Sequence, residues 1–597
     1  MGTGVSWEGS VAPHPLRSPN LVVGHGRPTR HHGHACRHSS PTSSTRLRTP
    51  AVTRSHSPTA TLVPRWILWF ACLAPGLGSC SSETPPRRVL IVGWDGATFD
   101  LIDPLMKEGR MPVLADLIQR GQHSWLESSR VPISSAAWVG ACSGQHPGET
   151  GVYDFFQRVE GSYEVEVIDA RTNLCPPLWR ILSGRGATVN VLGVPITWPP
   201  EPVRGHLAAG MLSPPAEDWA WPPEYTSELR EKGLLPDVGI WTQMRSLAPD
   251  QMLERIHEQL LIKEQVTLDL LESNDWDLSM VVFKSLDVIS HQRYDGSTQG
   301  VIADLLEDLD RILGNLIKRA GPQTDVIVMS DHGFGVFPFT FNLYPWLVNA
   351  GLAVELGEGP PTQPAAAPLI VFEAETERLR LKRLDLAQTR VLATNTECEG
   401  NFGSLRLNLQ GREPAGVVSP DQAETLLTEV EAALRAIEVP GGPLVVNVWR
   451  GAQLYPGPAN DRVPDLIFET RTDWQVVASA AGPALTQHQV PRPNHRLDGI
   501  FAAAGPRISS RPERARWSVF DLAPTALHLM GHSIYEEMSG DAHAELLSNS
   551  RPVQRIARAD DPTYRPSTEA WKELTQEQRQ AQIDQLKALG YADDDDD

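Results

Sequence analysis
Cysteine is scarce: six residues in a chain of 597. Only Cys80, Cys142, Cys175 and Cys398 lie at or beyond position 80. Four thiols over more than 500 residues exclude a disulfide-stapled scaffold. The absence of any Cys-x-x-Cys pair removes a thiolate metal site. Positive charge is also short. The formal net charge is -20, which excludes a general nucleic-acid binder, because such proteins present a basic face to phosphate. No apolar run is long enough to span a bilayer as a helix, and no internal repeat is present. Hydrophobic residues at 41% and charged residues at 21% describe an ordinary globular balance. The length suits one large catalytic domain with insertions, or several smaller ones.

The first sixty residues differ from the rest. They hold seven Arg, one Glu and no Lys or Asp, and they are rich in Pro, Ser, His and Gly. With no hydrophobic period, this stretch cannot bury enough apolar surface to offset its ordering entropy. The apolar run Arg65–Ala74 fits the core of a signal peptide. It leads to Leu77-Gly78-Ser79-Cys80 and a polar segment, a pattern that resembles a bacterial lipobox, in which Cys80 receives the lipid. We expect translation to start near Leu62 or Val63. A disordered extension ahead of a signal anchor is the alternative.

Short apolar runs read as buried parallel strands at Val89–Val92, Thr188–Leu192, Leu278–Phe283 and Val326–Met329. Amphipathic stretches such as Met252–Glu272 and Val301–Arg319 alternate with them. This alternation predicts an α/β fold, a mainly parallel sheet flanked by helices. Residues 351–390 are Pro- and Ala-rich. With the strand-like Ser404–Leu409 and helix-like Asp421–Ile437, they suggest an inserted smaller lobe over 351–480. The resulting division is 1–62 upstream, 63–80 signal, 81–350 and 481–545 the two parts of the core, and 546–597 a C-terminal region. That region ends in the helical Thr575–Leu589 and an acidic run, Asp593–Asp597.

Chemistry-bearing residues follow the strands. Asp95 comes directly after the first run, in Gly93-Trp94-Asp95-Gly96. Ligands of open parallel sheets bind beyond the carboxyl ends of strands, and an Asp there can ligate a metal or merely cap a turn. Asp287 and His291 follow the third run, four apart, and share one face if the segment is helical. Asp331 and His332 follow the fourth, in Ser330-Asp331-His332-Gly333-Phe334-Gly335. The flanking glycines permit an unusual backbone at a ligand. His495 lies in Asn494-His495-Arg496-Leu497-Asp498-Gly499-Ile500-Phe501.

The order Gly-x-Asp-Gly, Asp-x-x-x-His, Asp-His-Gly-Phe-Gly, His-Arg-x-x-Gly-Ile-Phe resembles the alkaline phosphatase superfamily, and within it the type I phosphodiesterase / nucleotide pyrophosphatase branch. Val194–Pro200, Asn408–Pro414 and Asp521–Thr525 agree, so the resemblance runs from about residue 87 to about 545. It implies an alkaline-phosphatase-like core with two divalent metal ions, and the imidazole and carboxylate ligands suit zinc. Asp95, Asp331 and His332 match the ligands of the metal that also holds the nucleophile. Asp287, His291 and His495 match those of the second. The family places its nucleophilic Thr or Ser ten residues before the Gly of a Thr-Gly-x-x-Pro segment. Here Ser143-Gly144-Gln145-His146-Pro147 puts that position at Ser134, itself a metal ligand, with Ser135 as the neighbour to be distinguished.

Three positions depart from the branch. Phe155 stands where a phosphate-binding Asn is found, Thr150 replaces a His, and the nucleophile is Ser rather than Thr. The metal ligands are intact, so the departures bear on substrate. The expectation is a two-metal phosphodiesterase acting through a phosphoseryl intermediate on a small-molecule ester. A phenyl ring at a pocket wall would favour a lipid- or glycan-linked diester, and the alternative is that Phe155 is simply a core residue of the Tyr153–Phe156 stretch. The alternatives are a phosphomonoesterase, phosphonate hydrolase or phosphotransferase at the same site, or a non-catalytic lipid-anchored binding protein. A sulfatase is disfavoured: Ser134 begins Ser-Ser-Ala-Ala-Trp, and Cys175-Pro176-Pro177 carries its Arg one residue late, at Arg180, which leaves Cys175 a plain buried thiol. The lipobox implies an exported protein, lipid-anchored to a bacterial membrane through Cys80.

Overall fold
The computed structural model describes residues 87–214, 218–235, 249–273, 275–356, 384–393, 398–479, 482–564 and 575–588. The upstream stretch, the signal with Cys80, most of the Pro- and Ala-rich segment and the acidic tail lie outside the described residues.

Nine strands form the main sheet: β1 Arg88–Trp94, β2 Gln122–Glu127, β3 Val189–Val194, β4 Gly205–Ala209, β5 Ala220–Trp221, β6 Leu278–Phe283, β7 Thr324–Met329, β8 Asp498–Ala504 and β9 Ala515–Ser518. Their order is β9-β2-β8-β7-β1-β6-β3-β4-β5. The run β7-β1-β6-β3-β4 is parallel throughout. Strand β8 is antiparallel to both β2 and β7. Parallel strands are covered on both faces, so they read as unbroken apolar runs. Accordingly β3, β6 and β7 are buried at every position, and β1 at every position but its first. The fold is α/β with a large, mainly parallel sheet, and each of the four predicted strands is a strand of it.

The long helices are where the 3.6-residue period predicts them, at Pro249–Glu272 and Val301–Ala320. The second buries ten side chains along one stripe, among them Asp310, which caps another helix. The Asp310 carboxylate accepts from Val113 N and Leu114 N at 3.0 and 2.8 Å, at the start of Pro112–Arg120, where Met111 offers no side-chain cap. Among the described residues, no helix is long and apolar enough to cross a membrane.

A second, smaller cluster of buried apolar side chains gathers around Phe341, Leu405, Leu434 and Phe468. Its four-stranded sheet joins Val391–Leu392, Phe402–Leu407, Leu466–Thr470 and Val445–Arg450, with the helix Pro420–Arg435 on it. A three-stranded sheet links this cluster to the site. Its central strand Gly333–Asn342 pairs with Trp474–Val477 and, antiparallel, with Leu485–Arg496.

Candidate active site
Three neighbouring strands deliver acidic residues to one edge of the sheet. β7, β1 and β6 lie side by side in register, and just past their carboxyl ends come Asp331 and His332, Asp95, and the helix Ser285–Arg293. That helix carries Asp287 and His291 one turn apart. His495 arrives on the strand Leu485–Arg496, which feeds the antiparallel β8 and so reaches the same edge. Ser134 is the first residue of the helix Ser134–Ser143, which follows β2. Asp95, Ser134, Asp287, Asp331, His332 and His495 are buried, and only His291 keeps part of its side chain in solvent.

The side chains converge. The Nε2 atoms of His291 and His495 are 2.9 Å apart. Asp287 Oδ1 is 3.3 Å from the first and 3.1 Å from the second. His332 Nε2 lies 3.3 Å from Asp331 Oδ2, 3.6 Å from Asp95 Oδ1 and 3.1 Å from Ser134 Oγ. The His332 and His495 rings stack with centroids 3.6 Å apart, which joins the two groups. Donor atoms of Asp287, His291 and His495 all lie within 4.8 Å of one another, as do those of Asp95, Asp287 and His332.

Several features fit divalent metal. Asp95 Oδ1 and Asp331 Oδ2 are buried and accept no hydrogen bond, a costly state that a cation would relieve. His495 Nδ1 donates to Pro132 O at 2.8 Å and His332 Nδ1 to Gly333 O at 3.0 Å. With Nδ1 protonated, each Nε2 carries a lone pair. The triangle of Asp287 Oδ1 and the two imidazole nitrogens has edges close to the roughly 3.3 Å expected between ligands on a tetrahedral ion with bonds of about 2.0–2.1 Å. The charge balance agrees. Burial and the neighbouring Asp95 carboxylate push the Asp331 pKa well above the ordinary range. Burial also opposes ionisation of Asp287, yet Lys284 and the two histidines hold its pKa well below that range.

The loop before Ser134 is pinned. Val131 has φ +62°, a left-handed conformation that a β-branched residue rarely adopts and that costs of the order of 1–3 kcal/mol. Ser129 Oγ donates to its carbonyl at 3.1 Å. Tyr455 Oη accepts from Arg130 N at 2.6 Å and donates to Arg130 O at 3.2 Å. Together with His495 on Pro132, these contacts fix where the helix begins. Ser134 Oγ faces His332, whereas the buried Ser135 Oγ has no hydrogen-bond partner, so the two neighbouring serines differ in what they face.

Sequence reasoning missed two residues here. Trp138 is one helical turn beyond Ser134, and its Nε1 donates to Asp95 Oδ2 at 2.8 Å. Lys284, the first residue after β6, places Nζ 3.1 Å from Asp287 Oδ2 and 3.5 Å from Asp95 Oδ2. Its position was the available signal, because a charged residue directly after a buried strand lies level with Asp95 and Asp331. Two expectations are corrected. Gly333 and Gly335 do not adopt positive φ. A Cβ at Gly333 would stand 2.2 Å from Asp498 O, so close strand packing requires glycine there, and at Gly335 the Arg496 side chain fills the space, with Nε 2.2 Å from where a Cβ would stand. Gly96 does take a left-handed φ of +74°, against Asp287. Phe155 is fully buried in the main core, so it has no face to offer a substrate. Cys175 is a buried free thiol.

Carboxylates and imidazoles gathered against a hydroxyl at a helix start, on the carboxyl edge of a parallel sheet, suit one class of enzyme in particular: metal-dependent phosphoester hydrolases. The comparison of sequences makes the class specific. The profile of the type I phosphodiesterase / nucleotide pyrophosphatase family matches residues 89–496, and the chain belongs to that family. No curated protein matches the chain. Among solved structures, phosphonoacetate hydrolase from Sinorhizobium meliloti is 15% identical, with a TM-score of 0.49 over 75% of this chain and 96% of that one. Murine ectonucleotide pyrophosphatase / phosphodiesterase 5 is 14% identical, with a TM-score of 0.45 over 77% of this chain and 100% of its own. The human protein of the same name is 13% identical, with a TM-score of 0.46 and the same coverage.

Proposed function
We propose that this phosphoester hydrolase is a two-metal phosphodiesterase with Ser134 as nucleophile. The observation that carries the reading is Ser134 Oγ at a helix start, 3.1 Å from His332 Nε2 and beside carboxylate oxygens that accept no hydrogen bond. Asp95, Asp331, His332 and the Ser134 hydroxyl would hold one ion, and Asp287, His291 and His495 the other. The nitrogen and oxygen donors suit zinc. When bound, two such cations make ionisation of a hydroxyl easier and neutralise charge on phosphoryl oxygens.

The chain's own residues do the rest. The pinned loop presents Ser134 Oγ to phosphorus, so little ordering is left for the reaction itself. The first N–H groups of an α-helix have no acceptor within the helix, and those of Ser134–Ser143 can donate to a non-bridging phosphoryl oxygen. Ser134 Oγ forms a bond to phosphorus as the bond to one ester oxygen breaks. That oxygen leaves as the alcohol, taking up the proton the serine gives up. Water then attacks the phosphoseryl group, releases the monoester and returns the proton to Ser134.

The substrate class is a small-molecule phosphate ester. With Phe155 in the core, what supports a diester is family membership and not a ring at the pocket wall. The test is a panel of a nucleotide diester, a lipid-like diester, a monoester and a phosphonate, each assayed on zinc-loaded and chelated protein. The reading expects the highest kcat/KM on a diester and no turnover after chelation. A monoester or phosphonate optimum would replace it with the corresponding hydrolase at the same residues. We also propose export and lipid anchoring at Cys80, because the lipobox spacing and the polar segment after it support them. Cys80→Ser should leave the membrane fraction and change mobility. Unchanged fractionation would refute the anchor.

A further inference from the structure
We propose that Lys284 is the resident countercharge of the site: its ammonium holds the carboxylates of Asp95 and Asp287 together before metal arrives and competes with metal for their charge afterwards. Nζ lies 3.1 Å from Asp287 Oδ2 and 3.5 Å from Asp95 Oδ2. The lysine side chain is 2% exposed and both carboxylates are 0% exposed. The division of oxygens is consistent. In each carboxylate Oδ2 faces the ammonium, while Oδ1 faces imidazole: His332 for Asp95, and His291 and His495 for Asp287. Trp138 Nε1 adds a second donor to Asp95 Oδ2. Each acid is thereby turned so that one oxygen remains for a metal.

The inference rests on reading Asp95 and Asp287 as metal ligands, and its sign follows from charge. Removing one partner from a buried ion pair leaves an uncompensated charge, which is strongly destabilising. Without metal, loss of the ammonium takes away a cation that touches both carboxylates and leaves their charge to imidazole and indole contacts. With metal bound, the cations supply the compensation and the ammonium only repels them. A group that stabilises the metal-free form more than the metal-bound form lowers metal affinity by the same amount. Lys284 therefore supports folding of the empty site and weakens metal binding. A residue that merely oriented the carboxylates would do the opposite, since its loss would loosen the ligands and weaken the metal.

The experiment compares wild type, Lys284→Met and Lys284→Arg by zinc titration against a competing chelator, and by thermal melting with and without zinc. For Lys284→Met we expect a lower Tm without zinc, a larger zinc-induced rise in Tm, and zinc bound about tenfold more tightly or better. Lys284→Arg keeps the charge and should stay close to wild type in both readouts. If Lys284→Met folds only when zinc is present, the inference is supported in its strongest form. Weaker zinc binding, an unchanged zinc-induced rise, or failure to fold even with zinc would each overturn it. If wild type itself neither binds zinc nor gains Tm from it, the metal reading fails, and that result is distinct from any failure of the lysine's role.

Discussion
Trp138→Phe probes the anchoring of Asp95 directly. The indole is fully buried, and its Nε1–H donates to Asp95 Oδ2 at 2.8 Å. A hydrogen bond to a charged group contributes about 1.5–3 kcal/mol, and a buried acceptor left unmet costs a similar amount. The substitution also opens a gap of roughly 40 Å³, which at about 24 cal/mol per Å³ adds about 1 kcal/mol. The expected loss in metal-free protein is therefore about 2.5–4 kcal/mol. Little relief is available nearby, since a Cβ at Gly93 would already stand 2.5 Å from the ring's Cη2. Urea unfolding measures the loss as a shift in midpoint at unchanged slope. A double-mutant cycle with Asp95→Ala separates the hydrogen bond from packing, with an expected coupling of about 1–3 kcal/mol. Additivity within about 0.5 kcal/mol would refute the claim that the indole acts on this carboxylate.

Phe155→Asn should lower stability by about 3–5 kcal/mol and leave the ratio of kcat/KM between a nucleotide diester and a lipid-like diester unchanged, because the ring is enclosed by the core. A changed ratio in soluble, folded protein would restore Phe155 to the substrate site. Burial raises the Cys142 thiol pKa and pushes that of Cys175 up to about 11. Neither should react with a thiol reagent at pH 8 until the protein is unfolded, as peptide mass spectrometry would show. His543 is pulled both ways. Burial lowers its pKa, but Asp521 at 2.8 Å and Glu545 at 2.9 Å raise it further, for a net rise. A raised folded pKa gives stability that is complete below the unfolded value near 6.5 and lost as pH climbs through the folded value. The gap in stability between wild type and His543→Phe should therefore be widest near pH 6 and narrow toward alkaline pH. A gap that widens with pH would show that the ion pairs do not set it.

Much of the site was legible because it hangs on short-range patterns. Four buried strands announced themselves as apolar runs, and Asp95 and the Asp331–His332 pair follow two of those runs directly. Asp287 and His291 needed only helical spacing. What could not be read depends on contacts remote in sequence. Trp138 resembles any core tryptophan until β1 brings Asp95 against it, 43 positions away. Lys284 has no motif: Asp287 is three residues away, but Asp95 reaches the ammonium only when β1 and β6 pair. Gly333 and Gly335 were rightly placed at the site, but the reason for glycine lies in β8 and Arg496, which no local pattern announces. Phe155 could be read as a pocket wall or as a core residue, because a departure from a family pattern indicates a difference without indicating which way the side chain points, and its burial decides for the core.

The central claim is that Ser134 is the nucleophile of a metal-dependent phosphodiester hydrolase. The most direct test pairs activity with metal content in wild type and Ser134→Ala, both loaded with zinc, on a chromogenic phosphodiester. Wild type should turn over, lose activity to a chelator and regain it with zinc. Ser134→Ala should keep close to two equivalents of metal, as the six other ligands remain, while kcat falls by about a thousandfold or more. A Ser134→Ala enzyme that retains both metal and activity, or a wild type fully active after exhaustive chelation, would contradict the account.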